Sequence, residues 1–350
     1  MAKPAQSRDR SLRQCAGLLT RVAYLHAKRH GIDTEPLIKS AGLTVELIED
    51  PTATIGVANQ IKFVEAIAAA LGDELLGFHL ASDLDFREVG LLYYVAASAD
   101  TLGTSLSRLE RYVKIQNDGV RFRITRGKSV RVRLIYVGVA RHTDVHQIGA
   151  IIVLLIRVCR HLTGRALKPT SVRLMHRIAG DKSKLEKFLD SDIEDAAGSD
   201  EIQFPAASWD LPIVSADPHL HRVCMKSCEE ALALGAAKPS PLTVRVENAI
   251  AALLPHGQAR HNLVASKLGM SPRTLTRRLT AEGASFAGIL ADTRSALADR
   301  YLTDRTLAIS QIAWLLGYTE IGAFTHAFHR WTGMTPSAAR AQQQPAGLAL

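Results

Sequence analysis

Between Gln258 and Arg340 the apolar positions follow one pattern that occurs twice. Val264, Ala265 and Leu268 recur at helical spacing, and Gly269 follows them. A glycine there predicts a helix stop, because a tight turn between helices calls for a left-handed residue and glycine adopts it without a Cβ clash. Ser271-Pro272 predicts the start of a second helix, the serine as cap and the proline at the first position, where its missing N–H costs nothing. Leu275 and Leu279, four apart, face inward, while Arg273, Thr276 and Arg277 fall on the other faces. Ile312, Ala313, Leu316 and Gly317 then stand 48 positions after Val264, Ala265, Leu268 and Gly269, with Thr319 in the place of Ser271 as cap. Phe324 and Phe328 repeat Leu275 and Leu279 at an offset of 49. Between the copies, Phe286 to Leu302 carries apolar Ile289, Leu290, Ala296, Leu297, Tyr301 and Leu302, has no proline, and has its glycine, Gly288, near the start. This predicts one connecting helix, roughly 25 Å long at 1.5 Å rise per residue. Such a spacer can hold two recognition helices about 34 Å apart, so that both enter major grooves on one face of DNA.

This repeated grammar resembles the DNA-binding domain of AraC/XylS-type bacterial transcription regulators. The residues that carry the resemblance include Leu268-Gly269-Met270-Ser271-Pro272-Arg273-Thr274-Leu275, Arg277, Arg294, Ile312-Ala313, Leu316-Gly317-Tyr318, Phe324, Phe328 and Arg330-Trp331-Thr332-Gly333. A plain helical bundle with two glycine turns does not explain two matched sets of stop, cap and inward residues.

Upstream, the pattern predicts short helices from Leu18 to Gly42, a turn at Thr44 to Ile48, and an amphipathic helix from Gln60 to Leu71. A polar joint follows at Ser82 to Phe86. Val89 to Ala97 and Leu102 to Tyr112 then read as a helix pair, the second capped by Thr101. Strict alternation in 121–125 and 130–134 around Arg126-Gly127-Lys128 predicts a hairpin. Its Phe122, Ile124, Val130, Val132 and Leu134 face a core, and Arg121, Arg123, Arg131 and Arg133 face solvent. Val145 to Leu162 is a strongly apolar helix that lies across the sheet or at a subunit contact. Ser171 to Arg177, Glu201 to Phe204 and Leu211 to Val214 read as strands, Lys182 to Leu189 as a helix, and Asp217-Pro218 as the cap and first residue of a helix to Leu234.

The expected architecture is an α+β N-terminal regulatory domain followed by an all-α C-terminal domain with two helix-turn-helix units joined by a long helix. The boundaries are a flexible tail at 1–12, a ligand-sensing and dimerisation domain at 13–234, a linker at 235–241, the DNA-binding domain at 242–340, and a tail at 341–350. The N-terminal part also resembles the arabinose-binding-like sensor and dimerisation domain of one branch of the family, through Phe86-Arg87-Glu88-Val89-Gly90-Leu91-Leu92, Asp100-Thr101-Leu102-Gly103, Leu211-Pro212-Ile213 and Asp217-Pro218-His219-Leu220.

Composition agrees with this division. The net charge is +9 and the isoelectric point near 9.5, which favours an acidic partner. Residues 241–350 hold 11 arginines and lysines against 6 aspartates and glutamates. Four cysteines without an even-spaced framework point to a reducing compartment. The polar start from Met1 to Cys15 is no signal peptide, and the apolar run Ile148 to Ile156 is too short to span a bilayer. A cytoplasmic protein is expected.

A recognition helix reads base edges with residues near its N-terminus. The resemblance places DNA contacts at Ser271, Arg273, Thr274, Thr276, Arg277 and Arg278 in the first unit and at Thr319, Ile321, Gly322, His326 and Arg330 in the second. Arg277 is the foremost candidate, since arginine bidentate to guanine is the commonest specific contact. Arg278 suits a phosphate or solvent. The second unit departs from the family pattern: Glu320, Ile321 and Gly322 stand where polar base readers are usual, and His326 and His329 replace basic residues. Specificity is therefore expected mainly from the first unit, with backbone positioning, and a thymine methyl at Ile321, from the second. Arg294 matches a position that holds the two units together.

His219, His221, Cys224 and Cys228 lie close in sequence, but their spacing fits no known metal pattern, and no metal or other cofactor is expected. No nucleophile elbow, phosphate loop or paired-histidine motif points to an enzyme. The reading is a ligand-responsive activator, a homodimer, with promoter DNA, RNA polymerase and an unidentified small-molecule effector as partners and no membrane. A non-sensing architectural DNA-binding protein is the alternative, and it predicts a mainly electrostatic affinity with little sequence preference.

Overall fold

The computed structural model describes residues 13–234 and 242–342. The expected tail at 1–12 and linker at 235–241 lie outside the described residues. Of the expected C-terminal tail, Ala341 and Gln342 belong to the last helix, and the remainder also lies outside them.

Two hydrophobic cores organise the chain, one running from Cys15 to Cys228 and the other from Leu242 to Phe328. The first domain opens with β1 (Gln14–Cys15), α1 (Leu18–Arg29), α2 (Glu35–Ser40), α3 (Val45–Glu49) and β2 (Ile55–Gly56). The next elements are α4 (Val57–Leu71), α5 (Leu76–Ser82), α6 (Leu91–Ala97) and α7 (Leu102–Gln116). The hairpin is β3 (Val120–Arg126) and β4 (Ser129–Tyr136), followed by α8 (His146–Thr163), β5 (Ser171–Arg173), α9 (Lys182–Leu189), β6 (Ile193–Glu194), β7 (Asp200–Pro205) and α10 (Pro218–Leu234). β1 pairs with β2, and a five-stranded sheet has the order β3-β4-β7-β5-β6, antiparallel except for the parallel β5–β6 pair.

The local signals give the expected elements where a cap or an alternation defines them. Thr101 caps α7 by accepting from the Thr104 N–H, and Asp217 accepts from the His219 and Leu220 N–H groups at the start of α10. The hairpin pairs Phe122 with Leu134 and Ile124 with Val132, with Val130, Val132 and Leu134 buried. Two of its outer arginines, Arg131 and Arg133, flank the buried Glu201 carboxylate at 3.1 and 3.0 Å.

Four readings change. Leu211 to Val214 is no strand: Pro212 makes an isolated bridge to Thr101, and the Val214 N–H donates to the Leu162 carbonyl instead of a ladder. A proline, lacking a donor, suits such a place. The strand at 171–177 stops at Arg173, because the Met175 N–H turns to the Asp200 carboxylate. Alpha-helix α5 was not anticipated, and it is the main partner of α8, which packs on α5 and α4 rather than across the sheet. Cys224 and Cys228 on α10 are buried, and burial pushes the Cys228 thiol up to about 11. α8 is the one helix among the described residues long and apolar enough to cross a membrane, and 67% of it is buried inside the protein, as in a core helix.

Candidate nucleic-acid interface

The second domain is all helical: α11 (Leu242–Leu253), α12 (His261–Lys267), α13 (Pro272–Ala281), α14 (Phe286–Thr303), α15 (Ile309–Leu315), α16 (Ile321–Thr332) and α17 (Pro336–Gln342). Helices α12 and α13 are joined through Gly269, whose φ of 68° is left-handed, and α15 and α16 through Gly317 at 74°. Val264, Ala265, Leu275 and Leu279 of the first unit and Ile312, Ala313, Leu316, Phe324 and Phe328 of the second are all buried in the shared core. Connecting helix α14 spans 18 residues, about 27 Å at 1.5 Å per residue. Trp331 is only partly buried, and it packs against this core alongside the fully buried Phe328.

Ser271 caps α13, accepting from the Thr274 N–H at 3.2 Å, and its hydroxyl lies 2.9 Å from that of Thr274. The expected cap of the second unit is corrected: Glu320, not Thr319, holds the capping position of α16, and it makes no side-chain cap bond. The cause is the one-residue difference between the two offsets, which moves the helix start one position beyond the place matched to Ser271. A carboxylate at a helix N-terminus is still favoured by the helix dipole.

Helix α13 presents Arg273, Thr276, Arg277 and Arg278 to solvent, with no acidic residue among its ten. None of the three arginines has a hydrogen-bond or ion-pair partner among the described residues. Thr276 is engaged locally, donating to the Pro272 carbonyl at 3.1 Å with His261 Nε2 at 3.2 Å. On α16, Ile321, Gly322, His326 and Arg330 are exposed, as is Thr319 in the turn before it. The 49% exposed Ile321 side chain leads that face.

Arg294 joins the halves. Its Nε donates to the Leu316 carbonyl at 2.9 Å, and its guanidinium lies 4.4 Å from the centre of the Tyr318 ring. One residue of α14 thereby grips the turn of the second unit.

A contact that the residue pattern did not reveal joins this domain to the first. The Arg141 N–H donates to Asn248 Oδ1 at 2.7 Å, and Asn248 Nδ2 donates to the Val139 carbonyl at 2.8 Å. Arg300 of α14 donates to the His142 carbonyl at 2.6 Å and to Glu65 Oε2 at 2.7 Å. Arg141 itself is fully buried against Asp200, at 2.6 and 2.7 Å. An arginine between Ala140 and the polar His142-Thr143-Asp144 gives no sequence signal of such burial.

A fold with two glycine-turned, capped helix pairs on one core, and an arginine face on the second helix of the first pair, defines a paired helix-turn-helix DNA-binding protein with a separate α+β domain. The comparisons give that class its family. Residues 31–213 match the arabinose-binding domain of AraC transcription regulators, and residues 264–342 match a helix-turn-helix domain. The chain belongs to the AraC/XylS-type family of transcription regulators. It is 28% identical over 336 residues to the uncharacterized HTH-type transcriptional regulator Rv1395 of Mycobacterium tuberculosis, covering 91% of this chain and 94% of that one. To the HTH-type transcriptional regulator VirS of the same species it is 28% identical over 317 residues, covering 89% and 92%. The crystal structure of transcriptional regulator CdpR from Pseudomonas aeruginosa aligns over 93% of this chain and 98% of that one, at 20% identity and a TM-score of 0.46. The protein is thus a sequence-specific DNA-binding transcription regulator with a sensor-like N-terminal domain.

Proposed function

We propose that this regulator is a cytoplasmic homodimer that activates transcription from promoter DNA in response to a small-molecule effector held by its N-terminal domain, with RNA polymerase as its downstream partner. The observation that carries the DNA side is the unpartnered arginine face of α13. Arg277 and Arg273, four apart on that face, read base edges; Arg278 meets phosphate; Ser271, Thr274 and Thr276 shape and flank the helix N-terminus. The second unit positions the protein on the backbone through Thr319, His326 and Arg330, and Ile321 and Gly322 lie against the groove. Glu320 at the start of α16 supports this division, since a carboxylate is repelled by phosphate unless it accepts from a cytosine amino group.

The test is binding of the full chain to its own upstream DNA and to scrambled DNA, by anisotropy over a salt series. A specificity ratio of about a thousandfold or more supports the reading. Equal affinity for both with a steep salt slope supports a non-sensing architectural protein instead.

A further inference from the structure

The first domain holds a cavity of ≈ 150 Å³, partly open to solvent, between α1, α4, α6, α7 and α8. Its walls are apolar, mostly aliphatic with Phe122, and its polar lining is short: Cys15, Gln60, Tyr93, Gln116, Asn117 and Gln147. Among the described residues no aspartate, glutamate, lysine, arginine or histidine reaches it. Gln60 and Gln147 are buried, and Gln60 Nε2 donates to Gln147 Oε1 at 2.6 Å. Each amide nitrogen has two donors, and one on each is used within the protein, by Gln147 Oε1 and by the Tyr136 hydroxyl at 2.9 Å.

The same amides begin a buried chain of hydrogen bonds. The Tyr136 hydroxyl donates to the Asp144 carboxylate, which also accepts from the Gln147 and Ile148 N–H groups at 2.8 and 2.9 Å and so anchors the start of α8. Arg141 donates to the Asp144 carbonyl, and its backbone N–H holds Asn248 of the DNA-binding domain. A second route runs along α4, where Glu65, five residues after Gln60, accepts from Val145 N–H at 2.7 Å and from Arg300.

We infer that this cavity binds an uncharged, mostly apolar small molecule by one oxygen head group at Gln60 and Gln147, and that the Gln147–Tyr136–Asp144–Arg141–Asn248 chain carries its occupancy to the DNA-binding domain. The inference rests on the effector-responsive reading above and names its ligand class and its route. A cavity of this size, partly open at its mouth, suits a molecule of benzene's size or somewhat larger, since an apolar cavity of about 150 Å³ holds benzene. A sugar fits by size but not by chemistry: its several hydroxyls outnumber the polar groups, and each one buried unpaired is costly. A carboxylate has no cation to meet it there. An oxygen that accepts from the second hydrogen of each amide shifts the Gln60–Gln147 bond. Gln147 lies in the first turn of α8, which Asp144 caps, so the 141–145 segment moves with it. The Arg141–Asn248 and His142–Arg300 bonds to the DNA-binding domain hang on that segment.

The experiment uses the full chain and three probes of similar size: 1-octanol, octanoate and arabinose. Calorimetric titration with each is followed by DNA affinity with and without octanol. The expected result is saturable binding of octanol alone, with DNA affinity changed by roughly 5- to 150-fold. In Asn248→Ala octanol still binds and the change in DNA affinity is lost; Leu154→Trp, which fills the cavity, abolishes octanol binding. Preference for octanoate, which the arginines of the interdomain cleft, Arg141, Arg177 and Arg300, would explain, overturns the inference, as does preference for arabinose. Octanol binding with unchanged DNA affinity, or an unaltered response in Asn248→Ala, overturns the route. Sequence-specific DNA binding that persists while octanol has no effect sinks the inference and leaves promoter recognition standing. Loss of sequence preference under every condition sinks both.

Discussion

His142 Nε2 lies 3.5 Å from Glu247 Oε1, yet the two do not form a charged pair at neutral pH. Burial, then Arg300 and Arg141, hold the imidazole down to about 4, so it is neutral. Burial, then Asp292, raises the Glu247 carboxyl to about 7. The contact between the domains therefore includes two groups that resist charging, beside the neutral bonds of Asn248 and the Arg300–Glu65 ion pair.

Opposed titrations follow. The folded pKa of His142 lies below its ordinary 6.5, so its contribution is present above 6.5 and lost as pH falls through about 4. That of Glu247 lies above its ordinary 4.5, so its contribution is present below 4.5 and lost as pH rises through about 7. Between 4.5 and 6.5 the two slopes have opposite sign and offset one another. Relative to the parent chain, Glu247→Gln should add a loss of stability towards acid pH, and His142→Gln a loss towards alkaline pH. Thermal melting of the three proteins from pH 4 to 8 checks this, and parallel profiles would contradict it.

The caps make a second, sharper contrast. Ser271→Ala removes the acceptor for the Thr274 N–H and should destabilise the C-terminal domain by about 1 kcal/mol. Thr319→Ala, at the matched position of the second unit, should stay within about 0.5 kcal/mol, because α16 begins behind Glu320. Denaturant unfolding of the two variants measures both. Equal losses would mean that Thr319 caps after all.

These residues also show how far the sequence carries. The C-terminal domain is legible because its signals are local: a glycine stop, a cap and inward residues four apart recur with one inserted residue. That insertion was visible in the offsets, but the cap was still placed one residue early. In the N-terminal domain, Thr101 and Asp217 are legible for the same reason. What is not legible is what each buried face meets. Periodicity marks α8 as apolar but does not say that α5 and α4 cover it rather than the sheet. Gln60, Gln147 and Arg141 are polar in sequence whether they are solvated or buried in a hydrogen-bonded chain. Their partners lie tens of residues away: 87 positions separate Gln60 from Gln147, and 107 separate Arg141 from Asn248. Only the folded chain brings them together.

The two turn glycines, alike in sequence, should respond differently to alanine. At Gly269 a Cβ meets nothing within 4 Å, so Gly269→Ala carries only the left-handed strain, about 1–2 kcal/mol. At Gly317 a Cβ would stand 2.9 Å from the Leu254 carbonyl oxygen, which is backbone and cannot swing aside. Gly317→Ala should then cost roughly 1–3 kcal/mol more, through overpacking of the turn that Arg294 grips. The measurement is the unfolding free energy of the two variants, and a smaller loss at Gly317 would contradict the packing argument.

Arg277 and Arg278 are neighbours on one exposed helix, but a step of one residue turns them about 100° apart. That separates a base reader from a phosphate contact. Arg277→Ala should weaken binding to upstream DNA by about 1–3 kcal/mol and bind scrambled DNA almost as before, so the specificity ratio falls. Arg278→Ala should weaken both DNAs about equally and lower the salt slope by about 1, because one counterion fewer is released. Neither change should move the melting temperature, since neither arginine has a partner among the described residues. The same anisotropy titration over salt reads both effects. If Arg277→Ala loses affinity equally on both DNAs, Arg277 is a phosphate contact, and base reading must pass to Arg273 on the same face of α13.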